Sequence, residues 1–215
     1  AYAIKIRGVI VCFVTAVVIT ALSLSAYYSG AYAVWFGKSS AKLPIYSVGT
    51  EQKVVALSFD CAWGTEHTDA ILQALERENV TATWFMVQFW AEKYPDFVGK
   101  ISAAGHEIGT HSATHSYMSR LLVETAQGEG YFTIQWDVDS LDWKDLSASD
   151  IAMRVISGVR PGSIVLMHNN GLHTAESLPI VISALKNRGY TFVPIGQMIY
   201  RSDYTLDHEG RQQLT

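Results

Sequence analysis

The sequence has only two cysteines in 215 residues, no run of basic side chains, no internal repeat and no low-complexity tract. Each absence narrows the field. Cys12 sits in an apolar N-terminal run and Cys61 in the domain beyond it, so the two do not pair in a folded, anchored protein, and no disulfide framework carries the fold. With 16 Lys and Arg against 20 Asp and Glu, the net charge is −4, and nothing offers the basic surface that neutralises phosphates. Nucleic acid is therefore not an expected partner. For this length, one globular domain plus an appendage is the expectation.

The appendage is the one long hydrophobic run. Gly8 to Ala26 carries no charge, and a helix of that length spans about 28 Å, close to the bilayer core. Lys5 and Arg7 precede it, which favours a cytoplasmic N-terminus, and Tyr27, Tyr28, Tyr32 and Trp35 follow it as an interfacial aromatic belt would. The expectation is a signal-anchor over residues 1–36, attaching the chain to a membrane with its domain on the extracytoplasmic side. A cleaved signal peptide is the rival, with Ala31-Tyr32-Ala33 as an A-x-A-like site. Either way, the domain after Lys38 is exported. Residues 37–48 read as a linker and lead-in strand, 49–201 as the folded domain, and 202–215 as a polar tail.

Within the domain, Lys53–Leu57 is apolar and β-branched, a buried parallel strand, and Asp69–Glu78 is an amphipathic helix. Thr81–Val87 predicts a second strand, Trp90–Ala104 a helix and His106–Gly109 a short third strand. Residues 131–138 predict a strand, Ser149–Gly158 a helix, Ser163–Met167 a strand, Ala175–Asn187 a helix and Tyr190–Val193 a last strand. This alternation is the signature of parallel βαβ units. Asp60 then falls at the carboxyl end of the first core strand, where α/β folds place ligands. A loop or helix-capping Asp is the plain alternative. His111 and His115 are four residues apart, which brings both imidazoles to one side of a helix or tight turn, where they can share a divalent metal. Two solvated surface histidines are the plain alternative there.

Ser58-Phe59-Asp60 followed by His111-Ser112-Ala113-Thr114-His115 resembles the polysaccharide deacetylase (NodB-like) family of carbohydrate esterases, and most closely its sporulation-associated, membrane-anchored branch acting on peptidoglycan. Trp136–Trp143 resembles the family's Asp-Trp motif, and Ile164–His168 its Leu-x-His motif. The likeness covers roughly residues 45–200, and four motifs in order are far more specific than one. It implies an irregular (β/α) barrel and metal-dependent removal of N-acetyl groups from cell-wall glycan. By this resemblance Asp60 matches the base, His168 the acid and Asp142 the carboxylate orienting that histidine. Trp143 and Leu166 match the walls around the acetyl methyl. His111 and His115 match the metal imidazoles, for a divalent ion expected to be zinc.

The chain departs from the family twice. The position after the base, where the family has a second Asp as metal ligand, is Cys61. Its thiolate completes a Cys-His-His zinc set, or its thiol is a small core residue. The family's long segment between the paired histidines and the Asp-Trp motif, with its Arg-Pro motif, is reduced here to Ser116–Gly130. Leu121–Ala126 reads as a join, so the barrel is expected to lack one βα segment. Two functions are carried forward: a glycan N-deacetylase, impaired in this form, and a non-catalytic protein that binds glycan or supports spore-wall assembly on the same fold.

Overall fold

A computed structural model describes residues 15–22, 24 and 43–215. The chain divides into two compact units, Ala1–Ala41 and Lys42–Thr215. Residues 15–22 and 24 are helical, and no helix among the described residues is long and apolar enough to cross a membrane. Most of the run expected to form the anchor lies outside the described residues.

The second unit opens with β1 (Ser47–Val48) and β2 (Val54–Cys61), then α1 (Thr68–Arg77), β3 (Thr83–Met86), α2 (Gln88–Lys93) and α3 (Pro95–Ala103). It continues through β4 (Glu107–Thr110), α4 (Arg120–Gly128), β5 (Val138–Asp139), a 3-10 turn at Asp142–Lys144 and α5 (Ala148–Gly158). β6 (Ser163–His168), α6 (Thr174–Asn187), β7 (Thr191–Phe192), α7 (Ile195–Met198), β8 (Tyr204–Leu206) and β9 (Arg211–Leu214) complete it.

The helices form for ordinary reasons. α1 buries Thr68, Ile71, Ala74 and Leu75, a stripe at helical spacing. α5 is capped by Ser147, whose hydroxyl accepts from Asp150 N at 3.2 Å, and buries Ile151, Ala152 and Val155. The helix expected over Trp90–Ala104 is two helices. Pro95 forces Tyr94 out of helical backbone, at φ −127° and ψ 56°, and then starts α3.

The strands run in the order β4-β3-β2-β6-β1-β9-β8, with β5 on β6 and β7 on β2. β2 pairs parallel with β3, β6 and β7. Alternation along β2 separates two cores. Val55, Leu57, Phe59 and Cys61 pack with α1, α5 and α6 residues such as Leu75, Val155 and Leu178. Ala56 faces the other way, with Ile45, Val48, Ile164 and Ile195. On that second face the next even positions are Ser58 and Asp60, so one stripe runs from an apolar base to a polar rim. Gly109 on β4 lies under Phe85, whose ring would stand 2.5 Å from any Cβ there.

The sheet is an open half-barrel. β4 ends the strand order with β3 as its sole strand partner, so the closed contour of a barrel is not reached among the described residues. Two further expectations are corrected. Residues 202–215 are no tail: β8 and β9 form an antiparallel hairpin, and β9 adds to β1 in parallel. The buried side chain of Gln212 explains this, since its Oε1 accepts from Tyr200 N and its Nε2 donates to Tyr200 O, both at 2.9 Å. Residues 131–138 supply only a single bridge, Ile134 to Ile45, before β5. Leu121–Ala126, read as the join, lies within α4, which Ser119 caps by accepting from Leu122 N at 3.2 Å.

Candidate active site

Two adjacent strands supply the centre of the site. The parallel register sets Asp60 of β2 directly beside His168 of β6. Below them Ser58 pairs with Leu166, so Leu166 lies on the same face, one step deeper and almost fully buried. Asp60 is 8% exposed, at the edge between core and solvent.

His168 is held from behind by Asp142 in the 3-10 turn. Asp142 is fully buried; its Oδ1 lies 2.7 Å from His168 Nδ1 and its Oδ2 accepts from His168 N at 2.8 Å. Thr174 Oγ1 donates to the same Oδ2 at 2.6 Å. The turn itself is fixed by Ser140, whose hydroxyl accepts from Asp142 N at 3.3 Å, and by Leu141 in left-handed backbone at φ 54°. Thr174, Ser140 and Asn169 are supporting residues that the sequence did not single out. Each is a small polar residue beside a motif, a pattern too common to stand out, and each is buried here.

On the other side of Asp60, His111 follows β4. Its Nε2 is buried and lies 3.2 Å from Asp60 Oδ2, without hydrogen-bond geometry. The His111 and His115 rings meet edge to face with centroids 4.8 Å apart. Ser112 and His115 reach this arrangement in left-handed backbone, at φ 68° and 56°. The imidazole pair therefore comes from a tight turn, with His111 beside Asp60 and His115 against His111.

The electrostatics separate the groups. Burial pushes the Asp60 carboxyl up to about 7; Asp142 and Asp139 add to the rise and His168 opposes it. No lysine or arginine is among these influences. Burial also lowers His111, helped by His115 and His168, to about 4, so this ring is neutral at physiological pH. Burial alone would lower His168 and raise Asp142. Their mutual hydrogen bond and charge overcome it, lifting His168 and holding Asp142 below the usual carboxylate range.

Cys61 does not join this cluster. One residue beyond Asp60 on a strand, its side chain turns to the opposite face and packs in the helix-side core. Its Sγ has Phe59 O at 3.9 Å, and burial, reinforced by Asp60, pushes the thiol well above its ordinary value. Ligation needs the thiolate. Among the described residues, no three His, Cys, Asp or Glu side chains form a group able to hold a metal ion. The donor set expected for zinc, His111, His115 and Cys61, thus does not fit: two imidazoles are in contact and the third ligand faces away.

Around the rim stand exposed aromatics. Trp143 is 56% exposed with Lys144 Nζ 4.9 Å from its ring centroid, and Trp63 is 62% exposed.

A family model described as polysaccharide deacetylase matches residues 47–148. A peptidoglycan-N-acetylglucosamine deacetylase of Bacillus cereus is 30% identical over 189 residues, covering 69% of this chain and 69% of that protein. The uncharacterized protein YlxY of Bacillus subtilis is 28% identical over 193 residues, 73% of this chain. The chain spans 60% of the length of YlxY. It spans 42% of the Listeria monocytogenes deacetylase PgdA. Among solved structures, the Bc1960 peptidoglycan N-acetylglucosamine deacetylase superposes with a TM-score of 0.69 at 28% identity, covering 72% of this chain and 92% of that one. A CE4 family pseudoenzyme from Bacillus anthracis superposes with a TM-score of 0.68 at 26% identity, covering 78% of this chain and 72% of that one.

Proposed function

Because this chain belongs to the polysaccharide deacetylase family, we propose that it engages N-acetylated cell-wall glycan at the Asp60–His168 strand ends and hydrolyses the acetamide there with weak turnover. The observation that carries this is the Asp60–His168 register with Asp142 locked behind His168. Asp60 is the base that takes a proton from water as its oxygen attacks the acetyl carbonyl. His168 is the acid that protonates the departing amine nitrogen as the C–N bond breaks, releasing acetate and a free amine. Asp142 fixes the tautomer and orientation of His168 and favours its protonated form. Trp143 and Leu166 are the apolar neighbours of the acetyl methyl.

Turnover is weak because three supports are thin. Asp60 has no lysine or arginine to hold it ionised, and the charge of His168 does not overcome its burial. The metal that family members use as a Lewis acid lacks a third protein ligand here, because Cys61 faces the core. The segment that carries the family's Arg-Pro motif is absent, and with it a backbone donor to the oxyanion. Loss of one such donor alone costs about 10²–10³ in rate. The same placement of Cys61 favours a second reading, a glycan-binding protein without turnover, in keeping with the pseudoenzyme among its structural neighbours. The uncharged run from Gly8 to Ala26 is proposed to anchor the chain, with its domain outside the cytoplasm and directed at the wall, in sporulating cells as the motif resemblance implies.

Acetate release from peptidoglycan and from chito-oligomers decides between the two. Slow release by the wild-type chain that disappears in Asp60→Asn supports the hydrolase. Binding of both polymers with no acetate released supports the glycan-binding protein.

A further inference from the structure

We propose that Trp63 is a carbohydrate-stacking platform that positions the glycan over the Asp60–His168 pair. This rests on the glycan-directed reading above. Trp63 follows the end of β2 by two residues, so it stands at the same rim as Asp60. Its indole is 62% exposed, although a side chain of that size gains most by burial. One side of the ring is occupied: it packs on His115 with centroids 4.7 Å apart at 56°. His115 in turn meets His111, which lies beside Asp60. A contiguous series of rings therefore leads from the open indole to the reacting carboxylate.

The loop that carries Trp63 is held rigidly although its side chain is not buried. The carbonyl of Gly64, the next residue, accepts from Trp90 Nε1 at 2.7 Å and from Asn169 Nδ2 at 2.9 Å. Both donors are on buried side chains, and Asn169 adjoins His168. Gly64 sits at φ 61°, a left-handed backbone that a residue with a Cβ adopts only under strain. Two buried donors and a glycine thus fix the backbone beneath an aromatic ring that solvent reaches. A pre-oriented, open indole beside an acid–base pair suits the axial C–H face of a pyranose, which has no charge to recognise and is bound by such contact. Fixing the ring in advance removes the ordering cost that a mobile side chain would add to binding.

The test is titration of the full chain with N-acetylglucosamine tetramer, read by calorimetry, for wild type, Trp63→Phe and Trp63→Leu. Phe keeps an aromatic face and should bind within about threefold of wild type; Leu fills similar space without one and should bind about tenfold more weakly. Unchanged thermal midpoints in both variants show that the fold is intact. A purely structural role for the indole would be met by Leu as well as by Phe. Equal affinity of wild type and Trp63→Leu overturns the platform and leaves the glycan-directed reading standing. No binding of the tetramer by wild type overturns both.

Discussion

At the scale of single residues, two carboxylates that both neighbour His168 behave in opposite ways, and pH should reveal it. Asp60 is raised to about 7 by burial, so its ionisation in the folded state is disfavoured. Its contribution to stability is complete below 3.8 and is lost as pH rises through about 7. His168 is also raised, so its pairing with Asp142 stabilises fully below 6.5 and fades as pH climbs through its higher folded value. Asp142 is lowered, so its share is present above 3.8 and is lost as pH falls through its folded value. His111 is lowered to about 4, so its contribution is present above 6.5 and is lost as pH falls through about 4, which offsets the Asp60 loss across that window. The thermal midpoint should therefore be highest between roughly pH 4 and 6.5 and decline toward pH 8. Asp60→Asn should remove much of that decline, and scanning calorimetry across pH would show it; an identical decline in the variant counts against the buried-carboxyl account. Any acetate release should rise with pH through about 7, as Asp60 ionises, and fall again at higher pH, as His168 loses its proton.

At the scale of elements, the departure from the family lies between β4 and β5. α4 occupies that stretch, where Leu121 and Tyr131 are 73% and 70% exposed, and β4 is the terminal strand of the sheet. An open sheet edge and exposed apolar side chains are surfaces that another strand and helix would cover. Grafting the longer segment of a close relative between Ser116 and Gly130 should cover them, lower the binding of a hydrophobic dye, and return the Arg and the backbone donor. Acetate release should rise by about 10²-fold or more. Cys61→Asp alone should gain far less and should lower the thermal midpoint, because it puts a carboxylate into the helix-side core at a cost of several kcal/mol. A single Cys61→Asp variant that matched the graft in activity would show that the side chain at this position turns toward the imidazoles after all.

At the scale of the molecule, Lys42–Thr215 holds both cores and all the residues of the candidate site, while Ala1–Ala41 is a separate unit. A chain beginning at Lys42 should unfold in one cooperative transition within about 2 °C of the full chain, since among the described residues no core residue of the domain lies before Ile45. The full chain should be recovered with membranes and released by detergent but not by high salt, whereas the shorter one stays in the supernatant. Full-length protein in the supernatant, with its N-terminus intact, would refute the anchor.

What the sequence determined by itself was local. Periodicity located β2, β6, α1, α5 and α6, because those segments bury whole faces and so must alternate or repeat. Asp60 lies at a strand end as its place in the sequence implied, His168 ends β6, and the His111–His115 spacing anticipated rings on one side of a turn, whereas Asp142 lies in a 3-10 turn. The tertiary structure decided what depends on partners far away in the chain. The hairpin β8–β9 is polar in sequence and becomes a sheet element only because β1 offers an edge and Tyr200 pairs with Gln212. Thr174 and Asn169 join the site through contacts across 32 and 105 residues, which no local pattern records. Cys61 is the sharpest case. Its place next to Asp60 suggested a shared metal, but alternation along a strand packed on both faces sends neighbouring side chains to opposite sides, and here one side is the site and the other the core.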